Sequence, residues 1–399
     1  MCIMEKKMQQ YLSYIFGFFL IAILAGCGSS SSSTAPVTIY NLPTSFASYS
    51  SLPDTKRGGA VQFGAISTNG KFSNYSVTTV AGIAGNAGFS NYSTTNGPPA
   101  QFNHPLDVTT NGTDLYVADY GNNLIRQITP DGKVKSLPVL GLNRPAGITT
   151  DGISLYVADT GNNRIQVISL ASGLATAIIG SPTGLAGSVD SSNEAGAGAL
   201  FNSPIGITTD GKNLYVTDYN NAIVRRIDIG TFAVSTLAGV SGVSGSADGV
   251  QSDARFNKPG RITTDGKYLY LTDFFNRTIR RIEISTGAVT TIAGTPGQVG
   301  SDDGKSDGIG SAAHFNQPNG ITTDGRNLYI TDSYLNTIRK LELATGAVTT
   351  ISGVASTSGI GGSLDSPGIP TFYSPVGITT DGTSLFVADS FNNTIRRIK

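Results

Sequence analysis

An all-β fold made of six repeated units follows from three features of the sequence. First, Gly320–Gly353 holds four short segments of alternating apolar and polar residues, each closed by a turn signal. Second, an Asp recurs after the second segment of each unit, at Asp119, Asp159, Asp218, Asp273, Asp332 and Asp389, spaced 40, 59, 55, 59 and 57 residues apart. Third, the last unit stops at Lys399 after its third segment, while a fourth-segment sequence, Val77–Gly82, stands near the other end. Four-stranded units at this period cannot bury their two apolar faces alone and stack as blades. The predicted fold is therefore a six-bladed β-propeller of four-stranded antiparallel blades. The N-terminal strand completes the last blade and closes the ring, removing two bare strand edges.

Within the unit, Ile321–Thr323 runs into Asp324-Gly325, which suits a two-residue hairpin turn with positive φ. Leu328–Thr331 follows and ends in the turn that opens at Asp332. Thr337–Leu343 is the third strand, and Thr345-Gly346 turns the chain into Ala347–Ser352. The third strands keep one register in all units: LIRQI, RIQVI, IVRRI, TIRRI, TIRKL and TIRRI.

The pattern P-x-G-I-T-T-D-G-x-x-L-[YF]-[VI]-[AT]-D-x-x-x-N-x-I-R-[RK]-[IL], seen in Pro318–Leu341 and Pro375–Ile398, resembles the NHL repeat. The resemblance covers roughly residues 73–399. It implies the propeller fold and a range of roles, from binding module to RNA reader to enzyme, without choosing among them.

Upstream of the propeller, residues 1–26 form a targeting segment. Lys6 and Lys7 precede the apolar run Tyr11–Leu24, and Leu24-Ala25-Gly26-Cys27 resembles a bacterial lipobox, which makes Cys27 the lipidated first residue of the mature chain. Two acyl chains there give stable anchoring. Gly28, by resemblance to the sorting rule, favours the outer membrane. Residues 27–36 are a Ser-rich tether, and residues 37–72 carry Tyr40, Phe46, Tyr49 and Phe63 without any repeat register. Cys2 leaves with the targeting segment, so the fold holds without disulfides. Of 27 basic and 27 acidic residues, processing removes Lys6, Lys7 and Glu5, leaving one net negative charge. That is no footprint for nucleic acid, and the RNA-reading role is not carried over.

Strand parity sorts the loops. Tight Asp-Gly and Thr-Gly turns share one face. The other holds the Asp-anchored turns and the long irregular connectors Ile83–Pro105, Ser181–Pro204, Val240–Pro259, Thr295–Pro318 and Val354–Pro375; only Leu142–Pro145 is short. Variable loops on a rigid scaffold mark the connector face as the working face.

Recurrence argues that the six anchor Asp residues are structural, capping turns together with Asn122, Asn162, Asn221, Asn276 and Asn392. Arg126, Arg225, Arg280, Arg339 and Arg396 share a register and pair with carboxylates or cover apolar surface with their stems. The connector motif at Phe102, Phe201, Phe256 and Phe315 reads as an apolar plug. His104 and His314 stand at different registers, so no metal site is expected. Peptide-amidating lyases share the architecture, but their metal-binding His have no counterparts here. Glu194 is the one candidate for the Glu ligand of lactonase-like propellers. Ser301–Gly308 is Asp-rich but lacks the spacing and closing Glu of an EF-hand.

Blade-specific aromatics remain. Tyr120, Tyr219 and Phe274 directly follow the anchor Asp, while Phe275, Tyr334 and Phe391 stand one place further. They are the ligand-binding candidates: stacking surfaces around the channel mouth for sugar rings or a peptide. The sequence thus favours a non-catalytic binding or scaffold lipoprotein of the cell envelope, without cofactor, engaging a protein, peptide or glycan. The competing class is a small-molecule hydrolase or lyase at the channel mouth.

Overall fold

Each unit folds into a blade whose strands pair in sequence order, as the alternating pattern dictates. In blade five these are Pro318–Thr323, Asn327–Asp332, Thr337–Glu342 and Ala347–Ser352. The structure, a computed structural model, describes residues 75–91, 99–192, 196, 198–300, 306–354, 361–366 and 370–399. The targeting segment, Cys27, the tether, residues 37–72, Glu194 and Ser301–Lys305 lie outside the described residues.

Six sheets form the propeller. The inner strands are Pro105–Thr110, Pro145–Thr150, Pro204–Thr209, Pro259–Thr264, Pro318–Thr323 and Pro375–Thr380, each packed against those of its two neighbours. Blades four and five gain a fifth, two-residue strand from their connectors, Gly249–Val250 and Gly308–Ile309.

The core is divided among the blade junctions. Between blades two and three, Tyr156, Ile165 and Ile179 meet Ile207, Leu214 and Val216. Equivalent clusters fill the other five junctions. Each fully buried Ile or Leu contributes roughly 1.5–3 kcal/mol, so a blade is stabilised by its neighbours rather than by itself.

Two local details differ from the expectation. Inner strands begin earlier, at Pro318 rather than Ile321, because a register shift lets Pro318 pair with Asp332. That shift drives Gly320 against the next blade, where a Cβ would lie 2.0 Å from the Val376 carbonyl oxygen, so only Gly fits. The Asp-Gly turn is a three-residue loop in which Gly325 alone has positive φ, +85°. Asp324 Oδ1 accepts the N–H groups of Arg326 and Asn327, and this side-chain turn replaces the two-residue hairpin.

Ring closure is as expected. Val77–Gly82 pairs antiparallel with Thr394–Ile398, Val77 opposite Ile398 and Gly82 opposite Thr394. Asp365 Oδ2 accepts Thr79 N–H, and Ser366 bonds Val77 in both directions, so the last connector straps the closing strand down. Deleting Tyr75–Gly82 strips blade six of its outer strand and of buried Val77. The melting temperature, followed by circular dichroism, is expected to fall on the order of 10 °C, at about 2–4 °C per kcal/mol lost. An unchanged melting curve contradicts this closure.

Candidate binding face and channel

The anchor Asp residues are structural, but in four blades not as caps of their own turns. No side-chain cap bond forms in the turn after Asp119, Asp159, Asp218 or Asp389, whereas Asp332 accepts the N–H of Leu335 in its own turn. Instead Asp119 Oδ1 accepts the N–H of Asn103, in the incoming connector, at 2.8 Å. Its Oδ2 takes the amide of Asn122 and the guanidinium of Arg126, both at 2.9 Å. Arg126 also donates to the Gln101 and Ser90 carbonyls and lies 5.1 Å over the Phe102 ring. In blades three to six a second carboxylate, Asp190, Asp248, Asp307 or Asp365, receives the other end of the Arg. Each also accepts an N–H of the outer strand, as Asp248 does from Thr291. Asp307 is thereby committed to Arg339 and Thr350 rather than poised for a cation. Blade two shifts the device by two residues: Arg164 Nε meets Asp159 at 2.8 Å while Gln166 fills the usual register.

Burial dominates these carboxyls despite the cations, raising Asp119, Asp218, Asp273 and Asp389 to about 6.

A further set of contacts joins neighbouring blades at the mouth. Asn123, Asn163, Asn336 and Asn393 accept the N–H of Arg144, Ser203, Ser374 and His104 in the next blade. Blades three and four carry Ala222 and Arg277 at this register. There Lys258 Nζ reaches back to Asn220 Oδ1, and Arg277 Nε reaches forward to the Asn316 carbonyl. These two basic groups therefore serve the blade junctions.

Of the aromatic candidates, Tyr120, Tyr219 and Phe274 are buried. Tyr219 lies beneath the Lys258 ammonium at 5.0 Å, and Phe274 meets Phe275 edge-on at 5.5 Å. Phe275, Tyr334 and Phe391 are half-buried and occupy one register of blades four, five and six. Phe391 packs edge-on against His104 (5.4 Å) and Tyr373 (5.1 Å), and Tyr373 is 37% exposed. The accessible candidate rings thus gather on the blade four-to-six side of the connector face, while Phe89, 74% exposed, stands in the connector of blade one. His104 is packed here, its imidazole pushed down by burial. Among the described residues, no three His, Cys, Asp or Glu side chains come together as a metal site.

Beneath the mouth lies the feature that sequence reasoning missed. The third residue of the inner strand is Gly in four blades, but Asp107 in blade one and Arg261 in blade four, directly opposite. Arg261 is buried and crosses the channel: Nη2 donates to the Leu106 and Ala146 carbonyls at 2.9 and 3.2 Å, and Nη1 to Asn319 Oδ1 at 3.3 Å. Its Nε stands 3.8 Å from Asp107 Oδ2, which also accepts Ile148 N–H.

A second difference between blades explains why a guanidinium is needed. Thr217, Thr272 and Thr331 each donate a hydroxyl to the second inner-strand carbonyl of the following blade, at Gly260, Asn319 and Val376. Blades six, one and two carry Ala388, Ala118 and Ala158 there, leaving the Leu106, Ala146 and Ile205 carbonyls without that donor. Arg261 supplies the first two. A departure from G-I-T-T in two opposite units, and the split between A-D in blades six, one and two and T-D in blades three to five, were the available signals.

The channel is closed by this layer. On its Asp-Gly side remains a cavity of about 60 Å³, lined by Thr109, Thr208, Thr322 and their counterparts above Asp107 and Arg261. It has room for a few waters but not for a sugar ring. Burial pushes the Asp107 carboxyl up to about 6 against the pull of Arg261. This raised value favours the folded state below the unfolded value near 4, and that contribution is lost as pH rises through about 6. Replacing Arg261→Ala strands two carbonyls and a carboxylate in the channel. Urea denaturation at pH 7.5 is expected to show a loss of roughly 3–5 kcal/mol, the usual result of breaking a buried ion pair. A loss under about 0.5 kcal/mol, the range of ordinary surface changes, means the channel is held otherwise.

Comparison with known proteins agrees with the architecture. An NHL repeat model matches residues 142–168, from the end of the short connector into the third strand of blade two. NHL repeat-containing protein 2 of Homo sapiens is 27% identical over 229 residues, 50% of this chain and 31% of that protein. The match thus spans about a third of that relative's length. A structural genomics protein of unknown function from Bacteroides thetaiotaomicron superposes with a TM-score of 0.61 at 21% identity, covering 82% of this chain and 76% of the other. An auxiliary nutrient binding protein from the same organism gives 0.61 at 18% identity, with the same coverage. At these identities the likeness is one of fold. The chain carries an NHL repeat at residues 142–168 within a six-bladed β-propeller.

Proposed function

We propose that this chain is a non-catalytic binding or scaffold lipoprotein of the cell envelope. It engages a protein, peptide or glycan on the connector face. The supporting observation is the coincidence of accessible aromatics, Phe275, Tyr334 and Phe391, with the variable connectors, above a channel closed by Arg261. A shallow aromatic platform over a closed floor suits stacking and edge contacts better than enclosure of a small substrate. The binding role in the name of the Bacteroides nutrient protein extends to this chain only as part of this proposal. Anchoring rests on Cys27 behind its lipobox-like segment and on the Ser-rich tether, with the outer membrane as the destination.

Two measurements test it. Metabolic labelling with an alkyne fatty acid should mark the wild-type chain and not a Cys27→Ser variant; equal labelling, or none in either, removes the lipid anchor. Screening the folded protein on glycan and peptide arrays should then give a ligand whose affinity falls about tenfold in a Phe275→Ala, Tyr334→Ala double variant, since two stacking contacts of 0.5–1.5 kcal/mol make about one decade. Loss instead in a Lys212→Ala, Lys267→Ala variant of the Asp-Gly face places binding on the wrong side.

A further inference from the structure

The outer edges of five blades are engaged by connectors. Blades four and five pair with Gly249–Val250 and Gly308–Ile309, and blade three forms a bridge between Ser191 and Val234. Blade six is strapped by Asp365 and Ser366, and the three-residue outer strand of blade one is met by Asn91 through Ser136. Blade two differs. Only eight residues separate Ser136 from Pro145, too few to lay a strap along its outer strand, Ala175–Gly180. Among the described residues, no connector bonds that strand's backbone, and it ends its sheet.

Exposed edges are normally guarded by charge, proline or a bulge turned outward. Here no charged residue occurs between Arg164 and Asp190, and the one bulge, at Thr176 where Val167 and Ile168 face Ala177 and Ala175, lies near the start of the strand and leaves Ala177–Gly180 in regular register. Ile153 takes the turn position held by Lys212, Lys267 and Arg326 in blades three to five, and is 58% exposed. Leu174, in the other turn of the same end, is 51% exposed, and Ile178 on the strand itself is 37% exposed. Blade two thus presents a six-residue, uncharged, partly apolar edge.

We propose that this edge is a self-association surface, on which Ala175–Gly180 of one copy pairs antiparallel with the same strand of a second copy. An antiparallel strand is its own complement about a twofold axis, since outward N–H groups of each copy meet outward carbonyls of the other. Any charge on such an edge would face its own image across the axis; none is present. With the axis at Ile178, the two Ile178 side chains stand side by side and Ala177 faces Ile179, giving an apolar pair at the centre. The result is one continuous sheet across two propellers, with both connector faces left open.

The test uses the full chain, extracted in mild detergent. Paired residues across antiparallel strands have Cα atoms about 4.5–5.5 Å apart, within disulfide reach. An Ile178→Cys variant under mild oxidation should give a covalent dimer, while Val354→Cys on the connector face and the wild-type chain, which keeps Cys27, set the background. An Ile178→Lys variant should sediment as a monomer with an unchanged melting temperature, where the wild type sediments as a dimer at micromolar concentration. A wild-type monomer at that concentration overturns the proposal. So does a photo-crosslinker at position 178 that captures a different protein, or a dimer that survives Ile178→Lys.

Discussion

A buried arginine held between two carboxylates is the interaction on which the propeller depends. Arg225, Arg280 and Arg396 each lie fully buried, with the anchor Asp at one end of the guanidinium and a connector Asp at the other. Connector carbonyls take the other two Nη donors, Nε is buried without an acceptor, and a buried Phe lies about 5 Å beneath the plane. The inner carboxylate is fully shielded while the outer one is 37–47% exposed, so each cluster spans from the interior to the surface. Such ion pairs add little net stability over a well-packed apolar core, but breaking one strands a charge. Their consequence is specificity: a single arrangement brings both carboxylates and the connector carbonyls onto the four Nη donors, and that arrangement fixes the connector against the rigid strands. The Phe plug supplies the apolar burial that the ions cannot.

Because the two-carboxylate clamp recurs in blades three to six, variation there is confined to two places. At the surface, connectors diverge in length and sequence, and Phe275, Tyr334 and Phe391 fall on blades four to six. At the axis, the ring is split between three blades with a Thr hydroxyl and three without one, and Arg261, opposite Asp107, supplies the donor at two of those three. A channel closed by its own polar groups cannot pass a ligand from face to face. The two faces are thereby separate surfaces, one built of repeated tight turns and the other of individual loops.

The repeat itself was legible because period, alternation and turn residues all agree in every unit. The displaced strand Val77–Gly82 was legible for the same reason, since a missing and an extra fourth strand must match. Less was readable where long-range geometry decides. Asp119 was recognised as structural, yet the sequence does not say that its partners lie in the preceding connector. Phe372 escaped notice because Thr-Phe-Tyr lacks the Ala and Asn that flank the other plugs, although it packs beneath Arg396 in the same way. Arg261 escaped because a single departure from a repeat looks like drift until its opposite number, Asp107, is seen across the axis. Of the aromatic candidates, adjacency to the anchor Asp placed three in the interior; the next position along carries the half-buried ones.

The claim that the arginine clamp fixes the connector face is tested most directly by hydrogen exchange on an Arg280→Met variant, which keeps volume while removing the charge. Blade four suits this because its connector, Val240–Pro259, is described throughout and carries both Asp248 and the Phe256 plug. The account predicts that amides of Gly245–Asn257 and the amide of Thr291 lose protection by at least tenfold, while inner strands of the other blades keep theirs. Unchanged protection in that connector, with the protein still folded, would contradict the account.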